Sequence, residues 1–318
     1  MNEFLMALPE KGQYYFDKID VSKVNIAYTK KENCKIIFKV IRRINIKLIK
    51  HGLIPLFNKK VCYKVYDKKI VDAIVFDTGL AILDSFVDYD LLYLIKKTKP
   101  KKMNLLIWNP IDDNEANFFK RFVPLNQINS YSEDESKRYN FKYFNDFYLI
   151  DYPYQEKKVV RDFYFLGRNK ARMGLIETFA NLIKGKYSYQ FDIYVKEEKE
   201  IDMSNPLFNY FSEYIPFPEY LNRVFESRCL IDFNTTTNIT FRTLESLIFK
   251  KKYISNNQRL KEMDFYNPNN IFIADDNTTL EDIEEFLNLP YIEIDRSILE
   301  RYDFYNAYNI FKKKSEEQ

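Results

Sequence analysis

The sequence is poor in several residue types that common kinds of active site require. Its 318 residues include one histidine, three cysteines and six glycines. With His51 as the single histidine, metal sites built from several histidines are excluded, and Ser-His-Asp or Cys-His catalysis would have no nucleophile motif beside it. The cysteines, Cys34, Cys62 and Cys229, are odd in number and widely spaced, which excludes a disulfide framework and favours a reducing cytoplasm. Any chemistry is therefore expected to use carboxylates, arginine, lysine and bound phosphate.

Long apolar stretches are also missing. No run reaches the roughly 18 apolar residues that a membrane-spanning helix needs. Residues 1–15 have no basic segment followed by a long apolar core, so no secretory signal is expected. The composition, with 46% hydrophobic and 30% charged residues, is that of a folded globular protein. A chain of 318 residues predicts two domains of about 150 residues each.

The formal net charge is only +3, but the basic residues are unevenly placed. They cluster within residues 30–50 and again within residues 96–102. Such clusters bind anionic lipid headgroups, although in a lysine-rich composition they are more often solvated faces. We expect the basic helix over residues 36–50 to contact the inner face of the cell membrane. Nucleic acid is not an expected partner, because no recognised nucleic-acid-binding module accompanies the clusters.

The order of apolar segments predicts an α/β protein with parallel sheets, because strands alternate with helices in both halves. In the first half, strands are predicted over residues 24–28, 72–76, 103–108 and 127–131. In the second half, they are predicted over residues 162–166, 190–195, 229–233, 252–255 and 271–273. The periodicity stops at residues 151–158, which contain Pro153 and a charged run, and this indicates a linker. The predicted domains are residues 1–155 and 156–300, followed by a helix and tail over 301–318.

The first candidate binding segment follows the strand predicted over residues 162–166. Gly167 leads there into a basic turn with Arg168, Lys170 and Arg172. Glycine lets the backbone approach a ligand closely, and arginine or lysine at a helix N-terminus suits a diphosphate. A plain strand-to-helix turn with exposed basic residues would have the same sequence. Both interpretations remain open for this segment taken alone.

The second candidate segment is the helix predicted from residue 240. Thr240 and Arg242 fall in its first turn, where free backbone N–H groups favour a phosphate. Glu245 lies three residues beyond Arg242 on the same helical face and is suited to the vicinal hydroxyls of a sugar. An ordinary surface ion pair would fit the same spacing. A third segment, with Ile215 and Pro216 before another predicted helix, can present backbone groups to a nucleobase or can be a purely structural loop.

Together these segments resemble the second domain of GT-B glycosyltransferases. The resemblance is carried by residues 167–172, 214–220 and 240–245, which occur in the order found in that family. Residues 264–272, and less specifically residues 130–143, are similar to segments of bacterial glycosyltransferases from lipopolysaccharide and capsule loci. The resemblance implies two Rossmann-like domains facing across a cleft, with a C-terminal helix that crosses back to the first domain.

The resemblance also implies roles for individual residues. Gly167 and Arg168, with Lys170 or Arg172, would line the donor diphosphate, and Ile215 and Pro216 would present backbone to the base. Thr240 and Arg242 would hold phosphate, and Glu245 would bind the ribose hydroxyls. Many relatives carry a second glutamate eight positions before this one, where the present sequence has Thr237. This departure removes the donor-sugar contact usually made there and weakens the case for a retaining mechanism.

An inverting reaction also needs a carboxylate base in the first domain. Asp77 is the first choice, because it follows the strand predicted over residues 72–76, and Asp112 and Asp113 are the alternatives. Asp77 would equally fit a residue that only caps a turn. A metal-dependent enzyme would need two carboxylates such as Asp88 and Asp90, but these precede a predicted helix, where aspartate is favoured as a cap.

The sequence thus predicts a metal-independent hexosyltransferase without a cofactor. It would transfer a sugar from a nucleotide donor, UDP-linked by expectation, to a lipid-linked surface glycan at the cytoplasmic side of the membrane. Two alternatives remain: a non-catalytic protein that binds nucleotide sugars, and a membrane-docking partner of a polysaccharide assembly complex.

Overall fold

The structure is a computed structural model that describes residues 4–8, 14–28, 36–168, 172–195, 203–213, 215–234 and 237–317. The chain divides into two compact units. Unit 1 consists of Met1–Asn145 together with Phe304–Gln318, and unit 2 consists of Asp146–Asp303. No helix in the described ranges combines the length and the apolar character needed to cross a membrane.

Unit 1 contains a parallel six-stranded sheet with helices packed on it. Its strands are β1 (Leu5–Leu8), β2 (Ile26–Tyr28), β3 (Leu80–Leu83), β4 (Met103–Ile107), β5 (Ile128–Ser130) and β6 (Lys142–Tyr143). The helices between them are α1 (Ile36–Lys50), α2 (Asn58–Val65), α3 (Lys68–Phe76), α4 (Tyr89–Thr98), α5 (Asp113–Lys120) and α6 (Glu133–Tyr139). The strand order is β2-β1-β3-β4-β5-β6, so the order reverses between β1 and β3.

The strand predicted over residues 72–76 is wrong, because these residues form the second half of α3. The side chains that face the core recur at helical spacing, namely Ile70, Val71, Ala73 and Ile74. The helix ends at Asp77, whose left-handed backbone (φ 53°) stops it. The strand comes afterwards as β3, a short segment whose four residues are all buried. The apolar segment before Asp77 is short enough to fit a strand or one face of a helix, and Asp77-Thr78-Gly79 can follow either.

Unit 2 contains a second parallel six-stranded sheet. Its strands are β7 (Arg161–Arg168), β8 (Tyr189–Tyr194), β9 (Asn209–Phe211), β10 (Ser227–Asp232), β11 (Lys252–Ser255) and β12 (Ile271–Ile273). Its helices are α7 (Met173–Ile183), α8 (Phe217–Phe225), α9 (Phe241–Ile248), α10 (Leu280–Asn288) and α11 (Arg296–Leu299). The strand order is β12-β11-β10-β7-β8-β9, the order of a Rossmann domain, and it reverses between β7 and β10. The prediction of two Rossmann-like α/β domains is therefore confirmed.

The last helix, α12 (Phe304–Glu316), belongs to unit 1 although it follows unit 2 in the sequence. The Phe311 ring lies 5.6 Å from that of Phe144, and the Tyr308 hydroxyl donates to the Phe4 carbonyl at 3.1 Å. Unit 2 is consequently inserted into unit 1. Its two ends lie side by side, because the Tyr148 N–H donates to the Tyr302 carbonyl at 2.8 Å.

Candidate functional site

The site predicted in the second half lies where the strand order of unit 2 reverses, at the carboxyl ends of β7 and β10. In open α/β sheets this is the position at which ligands bind, because loops diverge there and leave a crevice. Gly167 and Arg168 end β7, and Asp232 ends β10. Side chains from the segments after both strands, including Arg172 and Arg242, converge on Asp232. Two of the three candidate segments therefore meet at one place.

Asp232 is the centre of this cluster. Its Oδ2 accepts hydrogen bonds from the Thr240 hydroxyl at 2.6 Å and the Tyr253 hydroxyl at 3.0 Å. Its Oδ1 accepts from Arg242 at 3.3 Å and lies 3.7 Å from a guanidinium nitrogen of Arg172. The sequence interpretation missed Asp232, which it placed inside a buried strand. The available signal was an acidic residue at the end of an otherwise apolar segment.

Arg172 and Arg242 both lie against the ring of Phe165, each with its guanidinium carbon 5.2 Å from the ring centroid. Arg172 also donates to the Phe233 carbonyl and the Asn234 side chain, both at 3.0 Å. Arg242 donates to the Leu166 carbonyl, while its buried Nε has no acceptor among the described residues. Burial lowers the pKa of Arg172. These arginines are held rigidly by the chain itself, and Asp232 balances only one of their two charges.

Gly167 owes its identity to this packing. The strand continues through it to Arg168, and a Cβ at Gly167 would clash with the guanidinium of Arg172 and lie 2.8 Å from the ring of Phe165. The space that the sequence assigned to a ligand is therefore filled by Arg172. Arg168 is exposed at the strand end with its guanidinium 5.2 Å from the Tyr194 ring, and Lys170 lies outside the described residues.

Thr240 is the N-cap of α9. It accepts a hydrogen bond from the Thr243 N–H, and the Thr243 side chain accepts one from the Thr240 N–H, each at 3.3 Å. This reciprocal capping box fixes the start of α9. Pro216 occupies the N-cap position of α8, the helix that follows β9 of the same sheet, and Ile215 precedes it. Ile215 is partly exposed and Pro216 is exposed, so neither is buried in the core of unit 2.

Glu245 faces the interior of unit 2 and is 2% exposed. Its carboxylate accepts hydrogen bonds from the Tyr148 hydroxyl at 3.2 Å and from the Tyr220 hydroxyl. Burial raises the pKa of Glu245 to about 7, although both tyrosines and the nearby Arg242 act in the opposite direction. Both carboxylate oxygens are occupied, so contact with a ribose would require Glu245 to exchange its tyrosine partners.

The acidic residues expected to supply a base in unit 1 occupy structural positions. Asp77 lies at the amino-terminal edge of the sheet, before β3, and accepts the Lys102 N–H at 2.8 Å. Asp112 caps α5 by accepting from the Glu115 N–H at 2.8 Å. Asp113 is paired with Arg138 at 2.8 Å.

The alternative metal ligands also have structural partners. Asp88 caps α4 by accepting from the Leu91 N–H at 3.1 Å, as the sequence indicated. Asp90 is buried and accepts from Asn45 at 2.7 Å. Within the described ranges, no three His, Cys, Asp or Glu side chains are grouped so that they would hold a metal ion.

Asp84 is a carboxylate that the sequence interpretation missed. It follows β3 directly and thus lies at the carboxyl edge of the sheet, next to the reversal of strand order between β1 and β3. Its Oδ1 accepts the Trp108 N–H at 3.0 Å. Burial raises the pKa of Asp84 to about 6, opposed by hydrogen bonds from the Trp108 and Ser85 backbones and the Asn109 side chain. Correct placement of β3 would have identified it, because Asp84 occupies the position that was assigned to Asp77.

The chain is similar over its whole length to several solved glycosyltransferases. A glycosyltransferase from Rickettsia africae ESF-5 matches with a TM-score of 0.54 and 11% identity over 100% of this chain and 99% of that one. An alpha-glucosyltransferase in complex with UDP-glucose and DNA containing an abasic site matches with a TM-score of 0.55 and 12% identity, over 97% of this chain and 98% of that one. AviGT4, a glycosyltransferase involved in avilamycin A biosynthesis, matches with a TM-score of 0.56 and 9% identity, over 98% of this chain and 97% of that one.

The sequence itself matches no protein-family model and no curated protein. At identities of 9–12%, structural similarity establishes the fold and leaves the activity to be argued from the site. The fold is that of the GT-B glycosyltransferases, with one Rossmann-like sheet in each unit.

Proposed function

We propose that the protein is a glycosyltransferase that uses a nucleoside-diphosphate sugar, with a UDP-sugar as the preferred donor. The observation that carries this proposal is the position of Arg172 and Arg242. They lie at the reversal of strand order in unit 2, where they share the carboxylate of Asp232, and the Nε of Arg242 has no acceptor among the described residues. A donor diphosphate would supply further negative charge and an acceptor for this N–H. One structurally similar protein is in complex with UDP-glucose, which supports this class of donor.

The chemistry follows from the charge that develops on the leaving diphosphate. Fixed N–H groups and guanidinium groups stabilise such a charge without reorganising during the reaction. The N-terminus of α9, fixed by Thr240, and the exposed Arg168 at the end of β7 would add to this stabilisation. Ile215 and Pro216 would contact the nucleobase of the donor. We propose on this ground a transfer that does not depend on a metal ion.

We further propose Asp84 as the general base that removes the proton from the acceptor hydroxyl. A general base works best when its pKa lies near the working pH, because it is then largely ionised and still accepts a proton readily. The pKa of Asp84, about 6, meets that condition. Asp77 lies at the opposite edge of the same sheet, and Asp112 and Asp113 serve as a cap and an ion-pair partner. Of these four carboxylates, Asp84 is the best placed to act as the general base.

For the acceptor we propose a lipid-linked surface glycan at the inner face of the cell membrane. The support is the resemblance of residues 264–272 and 130–143 to glycosyltransferases of lipopolysaccharide and capsule loci. A non-catalytic nucleotide-sugar-binding protein with the same fold would bind the donor and transfer nothing, so measurements of binding and of transfer distinguish the two.

The donor is tested by thermal unfolding in the presence of UDP, other nucleoside diphosphates and their sugars. A ligand at one hundred times its Kd stabilises by about 2.7 kcal/mol. We expect this stabilisation from UDP and UDP-sugars, and its loss in Arg242→Gln. If no nucleoside diphosphate or its sugar raises the unfolding temperature, the proposed donor site is wrong.

The base is tested by steady-state kinetics of UDP release in the presence of an acceptor. Asp84→Asn is expected to lower kcat roughly 10²- to 10⁴-fold without weakening UDP binding. In the wild-type protein, kcat/KM should fall as the pH drops through about 6, because only the ionised Asp84 accepts a proton. Asp77→Asn is the matched control and should remain active. An active Asp84→Asn would exclude this residue as the base.

A further inference from the structure

The outward face of α1 is apolar in the structure, which is unusual for a surface helix. Ile36, Val40 and Ile44 are 79%, 48% and 41% exposed and recur every four residues, so they form one stripe along the helix. A second exposed stripe runs beside it, one position earlier in each turn, and consists of Lys39, Arg43 and Lys47. The solvent-facing side of α1 is therefore an apolar stripe edged by positive charge.

The inward face of α1 is fixed by polar side chains. Asn45 is fully buried and donates to Asp90 at 2.7 Å, while its side-chain oxygen accepts the Leu56 N–H at 2.7 Å. Arg42 forms an ion pair with Asp88. These bonds are directional, and rotation of α1 to bury its isoleucines would leave polar groups unpaired in the interior. The helix is thus held with its apolar side outward.

The loop that follows α1 extends this exposure. Leu53, Ile54, Leu56 and Phe57 are 55%, 77%, 45% and 65% exposed. The loop is tied to the helix, since the Leu53 N–H donates to the Leu48 carbonyl at 2.8 Å. Phe57 has a left-handed backbone (φ 48°), which is rare and costly for a bulky residue. A conformation of this kind presents an aromatic side chain to the surroundings at the expense of stability.

The charge of this region is of one sign. Residues 36–66 contain no aspartate or glutamate. Their basic residues are Lys39, Arg42, Arg43, Lys47, Lys50, Lys59, Lys60 and Lys64. Apart from Arg42, which is committed to Asp88, these side chains are exposed.

We propose that α1 and residues 53–57 form a membrane-binding surface whose partner is an anionic lipid bilayer. Basic side chains would lie among the headgroups, while the exposed isoleucines, leucines and Phe57 enter the boundary with the acyl chains. A nucleic acid would account for the positive charge but leaves the apolar stripe exposed to water. A bilayer accounts for both stripes at once. The proposal does not depend on glycosyl transfer, because it rests only on unit 1.

The test is flotation of the full-length protein with vesicles, either of phosphatidylcholine alone or of phosphatidylglycerol and phosphatidylcholine in equimolar amounts. We expect binding to the anionic vesicles and little to the neutral ones. Arg43→Gln with Lys47→Gln should weaken binding about 25-fold, given roughly a tenfold loss per 1.4 kcal/mol and about 1 kcal/mol per basic residue at an anionic surface. The matched control, Lys97→Gln with Lys101→Gln, removes the same charge from the other basic cluster and should bind like the wild type.

The apolar contribution is tested separately by Phe57→Asn, since asparagine tolerates the left-handed backbone and the variant should fold. It should weaken vesicle binding about tenfold, because a phenylalanine side chain no longer leaves water. Circular dichroism and thermal unfolding monitor the fold of every variant.

Three results would overturn the proposal. The first is equal binding to neutral and anionic vesicles, or none to either. The second is binding to duplex DNA, in place of vesicles, that the charge variant loses and Phe57→Asn retains. The third is a dimer in analytical ultracentrifugation that Phe57→Asn dissociates, without vesicle binding.

Discussion

At the scale of single residues, the candidate site of unit 2 is a small network of buried charges. Arg172 and Arg242 lie against Phe165 and share Asp232, while Glu245 takes its hydrogen bonds from two tyrosines. Buried charges cost free energy unless they are paired, and removal of one partner costs more than the pair contributes. Single substitutions in this network are therefore expected to change stability and ligand binding together.

Glu245 predicts a specific dependence of stability on pH. Its pKa is raised from 4.5 to about 7 in the folded protein, chiefly by burial. Below pH 4.5 the carboxyl is protonated in both states. Between pH 4.5 and about 7 the unfolded chain releases the proton while the folded chain retains it, so stability falls as the pH rises. The expected loss is about 3 kcal/mol, at 1.36 kcal/mol per unit of pKa.

The measurement is chemical denaturation of the wild type and Glu245→Gln across this pH range. The variant has no titrating group at this position, so the difference between the two free energies of unfolding isolates the contribution of Glu245. The wild type should lose stability relative to the variant up to about pH 7 and remain parallel to it above. Parallel curves throughout would show that the pKa of Glu245 is not raised.

At the scale of elements, the start of α9 depends on one hydroxyl group. Thr240 caps the helix and also donates to Asp232. Thr240→Ala should lower the free energy of unfolding of unit 2 by about 1–2 kcal/mol through loss of the cap, and leaves Asp232 with one donor fewer. Thr240→Ser keeps both hydrogen bonds and should be close to the wild type. Denaturant titrations of the three proteins provide the comparison, and equal stability of the alanine variant would refute the capping role.

Elements with strong local signals were predictable from the sequence. Strands β11 and β12 occur over the residues expected, because their apolar runs and the flanking turn residues agree there. The region of α3 and β3 was predicted wrongly. The apolar segments on either side of Asp77 are too short for periodicity to distinguish helix from strand, and Asp77 stops the helix by a backbone conformation that few non-glycine residues adopt. Strand β1 was missed because its residues are leucine, methionine and alanine, which favour helices.

The same limits apply to the candidate site. The segments near Gly167 and Thr240 were found from residue type and position, since strand ends of one parallel sheet lie at a common edge. Asp232 and the two tyrosines that hold Glu245 were missed, because they reach the site from β10, from α8 and from the segment that enters unit 2. Sequence spacing within one helix carries no information about such contacts.

At the scale of the whole molecule, unit 1 is built from two separate parts of the chain, one before unit 2 and one after it. Helix α12 comes last but contributes the buried Phe311 to unit 1. Phe311→Ala should destabilise unit 1 by about 3–5 kcal/mol through the lost side chain and the cavity it leaves. Hydrogen exchange should therefore accelerate in β1 to β5 more than in the strands of unit 2.

The control for this prediction is Ile310→Ala, one position earlier on the same helix, where the side chain is 44% exposed. It should leave the exchange of both units close to that of the wild type. Acceleration confined to unit 2 in Phe311→Ala would contradict the assignment of α12 to unit 1.

The adjacent ends of unit 2 have a consequence for engineering the chain. The paired Tyr148 and Asp303 lie next to residues 145 and 304, at which unit 1 is interrupted. Each residue of extended chain spans at most about 3.6 Å, so the distances from Tyr148 to residue 145 and from Asp303 to residue 304 are short. Residues 146–303 therefore form a continuous cassette that one gene fragment encodes. Exchange of this cassette for its counterpart in another protein of this fold would replace unit 2 in a single step and leave every strand of unit 1 in place.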